Sequence, residues 1–467
     1  MSQWPARWPP AAIAALMCAC ATPPKPQPRP EPLADSSLGL TGAQAAPAPQ
    51  RWWEVFDDTQ LDALIGQALR DNPGLSEAQA RLRQAQAQVI GARAAQLPGV
   101  KLSGTEKRVK IPEGFPAAIG GGQTVWLGDL GAVLSWDLDL WGEHADSVRQ
   151  TGALATAAGL DIDNARLLLT SALVQSYVDL YRSYALADIA ARAEAQRANI
   201  LDITRERVAA GLDTRVELRE AEGALPQARV ALTQAQSAQA LAIHQIVALS
   251  GHGADGYAAI TRPQMKLEAA LPLPAELPVN LLGRRPDVIA AHQRVNAADA
   301  QQRAARAAFY PNISLSALAG FASFSLRDLI DAKSFGYGVG PTLSLPLFDG
   351  GRLRAQYHGS EAALEQAVAS YDDTVVRAVH QAADQISLIQ SLRQELDQQS
   401  QSLQAAEDAY RLAEERYRAG LAGYLTVLNA ETEVLNERRQ SVDLNTSMAI
   451  ARVNLLLAVG GSFGESS

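Results

Sequence analysis

The side chains that carry chemistry in proteins are sparse in this sequence and poorly spaced for it. The six histidines (His144, His244, His252, His292, His358 and His380) show neither the H-E-x-x-H spacing nor the companion cysteines of a zinc site. "IGGGQ" (119–123) is glycine-rich but lacks the Lys-Ser/Thr pair with which a phosphate-cradling loop ends. "DIDN" (161–164) begins like a calcium loop without the later Gly and Glu. No nucleophile lies at a defensible spacing from a base. The sequence therefore reads as that of a non-enzyme with no cofactor.

The one site of expected covalent chemistry is at the N-terminus. The only cysteines are Cys18 and Cys20, so no disulfide framework is available to the remainder. Arg7 precedes a short apolar run from Ala11 to Ala19, the pattern of a secretory signal too short to span a bilayer. Its end, Leu16-Met17-Cys18-Ala19-Cys20, is similar to a lipobox. Cys20, with small Ala19 before it, is the better candidate for lipidation, and plain signal-peptidase cleavage nearby is the alternative. Residues 1–19 are then a signal peptide, and the Pro-rich stretch 20–50 an extended, lipidated tether without a packed core.

The 467 residues are 47% hydrophobic and only 19% charged, with a formal net charge of −9. An acidic chain is a poor ligand for nucleic acid, which demands a basic face. No stretch of 18 apolar residues occurs, which argues against a spanning helix but not against membrane strands.

The dominant feature is an internal repeat. Residues 72–103 align without gaps to 285–316 at an offset of 213: Pro73/Pro286, Arg81/Arg294, Arg93/Arg306, Pro98/Pro311 and Ser103/Ser316 coincide. From Leu134/Leu343 through Arg207/Arg416, Gly211/Gly420 and Gly251/Gly460 the offset is 209, which implies a shorter loop in the second copy. The chain thus divides into a first repeat (51–260), a linker (261–276), a second repeat (277–461) and a tail (462–467). Each copy reads helix, two strands, long helix, turn, long helix. Val375, Ala382, Ile389, Leu396, Leu403, Tyr410 and Tyr417 recur every seven residues, as do Leu428, Leu435, Val442, Ala449 and Leu456. Such a period imposes a supercoiled seam, and helices of this length suit a rod or tube.

The strands alternate. Trp126, Leu130, Ala132, Leu134 and Trp136 interleave with Leu127, Asp129, Gly131, Val133 and Ser135. Phe335, Tyr337, Val339, Pro341 and Leu343 interleave with Gly336, Gly338, Gly340, Thr342 and Ser344. Ile313–Phe321 is a third such segment and Val100–Arg108 a weaker fourth. One apolar and one small or polar face over about ten residues is the outer-membrane strand pattern. Four strands cannot close a barrel, and lipid does not tolerate open edges. Three chains would give twelve strands and a lumen.

"WWEVFDD" (52–58), "LDLWG" (138–142), "LLGRRPDV" (281–288), "ARAAFYPNISLSA" (305–317), "PLFDGGRL" (346–353) and "ERYRAGLAGYLTVLNAE" (415–431) resemble, in order and duplication, the TolC/OprM-like outer membrane factors. The resemblance runs from Trp52 to Gly461 and points to their lipoprotein branch, which serves resistance-nodulation-division efflux systems. It implies a mixed, mainly α fold: a trimeric α-barrel of long coiled-coil helices plus a twelve-stranded transmembrane β-barrel. It implies a passive exit duct for small molecules in the outer membrane, with a periplasmic helical tunnel. The implied partners are two further copies of the chain, a periplasmic adaptor protein and an inner-membrane pump. A protein-secretion conduit and a non-channel coiled-coil scaffold are the alternatives. By position, the family's adaptor contacts fall on Gly211, Leu212 and Thr214 and on Gly420, Leu421 and Gly423. The periplasmic gate falls on Leu425, Asn429 and Thr432, with Glu217 and Glu220 from the first repeat. Asn429 and Thr432 stand where the family commonly places an acidic residue and, in some members, an Arg. With Ala21 and Thr22 after Cys20, similarity to bacterial lipoproteins favours sorting to the outer membrane.

Overall fold

A computed structural model of the chain describes residues 30–33, 38, 40, 49–114, 116, 121–268, 276 and 283–461. The signal peptide, Cys18, Cys20 and the tail lie outside the described residues, as does most of the tether.

The helices and strands, in chain order, are α1 (Thr59–Asp71), α2 (Pro73–Ala94), β1 (Gly99–Lys110), β2 (Thr124–Asp137), α3 (Glu143–Ala209) and α4 (Arg215–Leu249). The second repeat follows with α5 (Pro286–Ala307), β3 (Asn312–Ser323), β4 (Phe335–Ser344), α6 (Arg352–Arg418) and α7 (Tyr424–Ala458). The repeat is met helix for helix: α2 and α5 are 22 residues each, α3 and α6 are 67, and α4 and α7 are 35. The four-residue change of offset is not confined to a loop. The connection 324–334 is two residues shorter than 111–123, β4 is four shorter than β2, and the swivel 345–351 is two longer than 138–142.

By its contacts the chain forms two compact units, each drawing on both repeats. The first holds residues 81–158 and 291–371, with the N-terminal stretch to residue 32; the second holds 33–80, 159–290 and 372–467.

In the first unit the four strands form one antiparallel sheet in the order β1-β2-β3-β4. Its register sets Val100, Leu134, Ala317 and Val339 in one row and Leu102, Ala132, Ala319 and Tyr337 in the next. Because neighbours across a ladder share a face, the apolar positions become one continuous surface. That surface is bare within the chain: Val100 is 70% exposed, Val339 71% and Tyr337 81%. The opposite face carries Ser103, Ser135, Ser316 and Thr342. Positive φ at Asp139 and Gly142, and at Gly350 and Gly351, turns each strand into its long helix. Asp139 then caps α3 through the backbone N–H groups of His144 and Ala145, and Asp349 caps α6 through those of Gly351 and Leu353. Trp141 stacks on Tyr310 at 4.9 Å and donates to the Pro311 carbonyl at 2.8 Å, fixing this turn.

In the second unit Trp52, Trp53 and Phe56 are buried against Leu61, Ile65, Leu173 and Tyr177. Asp58 caps α1 through the Gln60 N–H and accepts the Tyr177 hydroxyl at 2.9 Å. The seven-residue seams are buried as the spacing demands: Val375, Ala382, Ile389 and Tyr417 on α6, and Leu435, Ala449 and Leu456 on α7, are inside. No helix among the described residues is long and apolar enough to cross a membrane.

One expectation is corrected. The tether is not free of packing, because Leu33 N donates to Asp372 Oδ1 at 3.0 Å and Leu40 packs against Val379, Ala382 and Ala458. Leu33, Leu38 and Leu40 are the larger apolar side chains of an otherwise Pro- and Ala-rich stretch. Docking Leu40 removes its apolar surface from water.

Candidate functional site

The two residue groups singled out by position converge, within the second unit, on the turns α3–α4 and α6–α7. Both turns end a 67-residue helix in the same way. Gly211 has φ +72° and Gly420 φ +74°, and the N–H of the next residue reaches back to a helix carbonyl: Leu212 to Arg207 at 2.9 Å, Leu421 to Arg416 at 2.8 Å. This left-handed closure needs a residue without Cβ strain, which is why the glycine recurs at the same offset. Leu212 and Leu421, 66% and 70% exposed, follow the two glycines.

The next helices start differently. Thr214 caps α4 in a reciprocal box: its hydroxyl accepts from Val216 N, and its own N–H donates to Glu217 Oε2 at 2.9 Å. The Thr214 hydroxyl also meets Glu217 Oε2. These donors hold the Glu217 carboxyl below the usual carboxylate range, so Glu217 is charged and committed to the cap. Gly423 caps α7 with no side chain and an ordinary φ of −85°. Leu425, Asn429 and Thr432 all lie exposed along α7, at helical spacings of four and three. The Thr432 hydroxyl is turned back onto the Leu428 carbonyl at 2.7 Å. Glu220 is half-buried, and its Oε2 has no hydrogen-bond partner.

What position alone did not single out is the knot that ties one turn to the other. Arg207 grips Asp213 with two hydrogen bonds, Nε to Oδ2 at 2.8 Å and Nη2 to Oδ1 at 3.1 Å. Its Nη1 donates to the Tyr417 carbonyl at 3.2 Å, and the guanidinium lies 4.6 Å from the centre of the Tyr417 ring. The Tyr417 hydroxyl returns to Asp213 Oδ2 at 2.9 Å. Hydrogen bonding to Arg207 holds Asp213 below its ordinary value, and the same bond raises Arg207. Burial is the main force pushing the Tyr417 phenol up. Arg207 was visible as a repeat match and Tyr417 as a seam position, but their pairing spans more than 200 residues.

Chemically the tips offer glycine turns open to a partner backbone, exposed leucines and fixed charges. Among the described residues no three His, Cys, Asp or Glu side chains come together to hold a metal.

Comparison with known proteins gives a consistent picture. The profile of the family described as outer membrane efflux protein matches residues 64–252 and 277–461. The fusaric acid resistance protein FusA of Burkholderia cepacia is 37% identical over 318 residues; the match covers 67% of this chain and 59% of that relative. The probable efflux pump outer membrane protein TtgC of Pseudomonas putida is 29% identical over 430 residues, covering 91% of this chain and 88% of the relative. Among solved structures, the outer membrane protein VceC of Vibrio cholerae superposes with a TM-score of 0.85. It is 33% identical and covers 89% of this chain and 100% of its own.

Proposed function

On the premise that this chain belongs to the outer membrane efflux protein family, we propose that it is the outer-membrane exit duct of a tripartite efflux pump, passing small molecules outward passively. The observation that carries this is the sheet: four strands, an apolar face left bare, and edges at β1 and β4 with no partner among the described residues. In lipid such a sheet must close on further copies, and three copies give about twelve strands and a lumen wide enough for water. VceC, all of whose chain superposes on 89% of this one, is an outer membrane protein, and TtgC is a probable outer membrane component of an efflux pump.

In this reading the long helices form the periplasmic tunnel. The tips present Gly211, Leu212 and Thr214, and Gly420, Leu421 and Gly423, to the hairpins of an adaptor protein that couples the duct to an inner-membrane pump. Open space around Gly211 and Gly423, where an added Cβ meets nothing within 4 Å, supports close approach of a partner. Leu425, Asn429 and Thr432 line the aperture, with Glu217 and Glu220 beside it. Cys20 carries the N-terminal lipid. Transport needs no bond-making step, since the duct supplies only an aqueous path.

Mass measurement and planar-bilayer recording on detergent-purified protein test the reading. A trimer with stable conductance is expected, and a water-soluble monomer without conductance would overturn it. Gly423→Arg, at an ordinary φ and with open space around it, should abolish efflux complementation while trimer levels stay normal; full activity would remove the adaptor contact. Palmitate labelling should be lost in Cys20→Ser.

A further inference from the structure

The apolar face of the sheet does not stay apolar to its end. Its rows run from Val100, Leu134, Ala317 and Val339 to Gly104, Leu130, Phe321 and Phe335. Beyond them, on the same face, the alternation of β1 brings up Glu106, Arg108 and Lys110, all exposed. Arg108 stands opposite Trp126 across the ladder, and its guanidinium lies 5.7 Å from the centre of that ring. Among the described residues neither Arg108 nor Lys110 has an ion pair. Glu106 offsets one of the two charges, yet the outermost charges of β1 on this face are both positive. Lys101 and Lys107 of the same strand fall on the opposite face, with Ser103.

Cations on a lipid-facing surface cost free energy unless they reach the headgroups. The long helices leave from the other end of the strands: α2 leads into β1 at Gly99, whereas Lys110 opens the connection 111–123. The 12 residues of β1 span roughly 40 Å of strand, and about 30 Å of depth at a tilt of about 40°. That depth matches the hydrocarbon thickness of a bilayer. With the helices in the periplasm, Arg108 and Lys110 therefore stand at the headgroups of the outer leaflet. Trp126, Phe335 and Tyr337, exposed on the same face, are the aromatic side chains that such a boundary favours. The Trp126 ring lies beside the guanidinium and leaves its planar fork open to a bidentate acceptor.

We propose that Arg108 and Lys110 form a binding site for the phosphate groups of a phosphorylated glycolipid in the outer leaflet, with Trp126 packed at the boundary between its sugar and its acyl chains. The inference rests on the duct reading for which face of the sheet meets lipid. Phosphate satisfies both cations: it accepts two parallel hydrogen bonds from a guanidinium, and it neutralises an ammonium that the apolar rows below cannot. The same two cations on the lumen face would be solvated and would select no lipid.

Binding of lipid A, carried in phosphatidylcholine–detergent mixed micelles, to the immobilised detergent-purified protein tests the site. Wild type should bind lipid A more tightly than its dephosphorylated form, and equal binding of the two overturns the proposal. Arg108→Gln with Lys110→Gln should weaken lipid A binding by about tenfold or more. Lys101→Gln with Lys107→Gln makes the same change of charge on the opposite face and should bind as wild type does. Unchanged binding in the first pair, or an equal loss in both pairs, overturns the site. Inorganic phosphate at matched phosphorus should not displace the lipid; displacement would make free phosphate the ligand and overturn the lipid assignment. If the first pair does not assemble, Lys110→Glu alone should weaken binding, and unaltered affinity counts against the proposal. Conductance in bilayers of phosphatidylcholine alone is a separate readout. A protein that binds lipid A through Arg108 and Lys110 yet conducts nothing would overturn the duct reading and leave the lipid site standing.

Discussion

Arg285 donates Nη1 to the carbonyl oxygen of Ala458 at 3.1 Å, closing the start of the second repeat onto the last turn of its final helix. Asn72 closes the first repeat in the same way, Nδ2 to the Leu249 carbonyl at 2.9 Å. The donors stand at the 213 offset and the acceptors at the 209 offset, so the bond is conserved between the copies while its chemistry differs. Asn72 also caps α2, accepting from Gly74 N and Leu75 N. Arg285 grips Asp287 with Nε and Nη2 and reaches Gln381 of α6.

Arg285→Ala should be the costlier change of the pair. It removes a guanidinium whose side chain is 10% exposed and leaves Asp287 without its partner, which typically costs about 3 kcal/mol. Asn72→Ala loses a cap and one carbonyl bond, about 1–2 kcal/mol. Denaturant midpoints of the detergent-purified protein should separate the two, and equal midpoints would refute the clamp.

Gly460 packs against the same start of the repeat. Its φ is +97°, and an added Cβ would lie 2.8 Å from the Arg284 carbonyl carbon. Gly251, with φ +84°, would meet Asp71 O at 2.6 Å. Gly460→Ala and Gly251→Ala should each destabilise by more than about 2 kcal/mol. Gly423→Ala, with ordinary φ and open space, should cost only about 0.5–1 kcal/mol by the same measurement, from the poorer N-cap alone.

Asp213→Asn should loosen the tips by about 2–3 kcal/mol at neutral pH, because it strands the half-buried Arg207. The sign of the pH effect follows from the lowered Asp213 carboxyl. Its contribution is complete above the ordinary aspartate value of 3.8 and is lost only as pH falls through its depressed value. Tip proteolysis of the wild type should thus show no dependence on this group near neutrality. The variant should be cleaved faster there, and unchanged cleavage would argue against the knot.

Glu217→Gln combined with Glu220→Gln tests the aperture charges. Glutamine at position 217 keeps the capping box, so the change isolates charge from helix stability. Cation preference in single-channel recordings should fall, and unaltered selectivity would remove both carboxylates from the ion path.

The capping box shows how legibility and interpretation differ. Thr214-x-x-Glu217 is a helix-start signature readable in the sequence, yet position in the repeat drew attention to Glu217 as an aperture charge. In the folded chain its carboxylate caps the start of α4. Glu431 pairs with Arg197, 234 residues away, and nothing nearby in sequence identifies that partner. The tether misled for a related reason: its Pro-rich composition describes the backbone and is silent about where Leu33 and Leu40 dock.

Periodicity and duplication were determined by the sequence alone. A seven-residue seam and a two-residue alternation are local regularities that mark helix and strand, and an offset of 209 or 213 is a translational one that marks a duplicated unit. The clamps at Arg285 and Asn72, the Arg207–Asp213–Tyr417 knot and the Arg197–Glu431 pair were decided by tertiary structure. Arg285–Ala458, Asn72–Leu249, Arg207–Tyr417 and Arg197–Glu431 each join residues more than 170 apart. Their partners are chosen by which helix faces meet, and burial then makes an unpaired polar group too costly to leave.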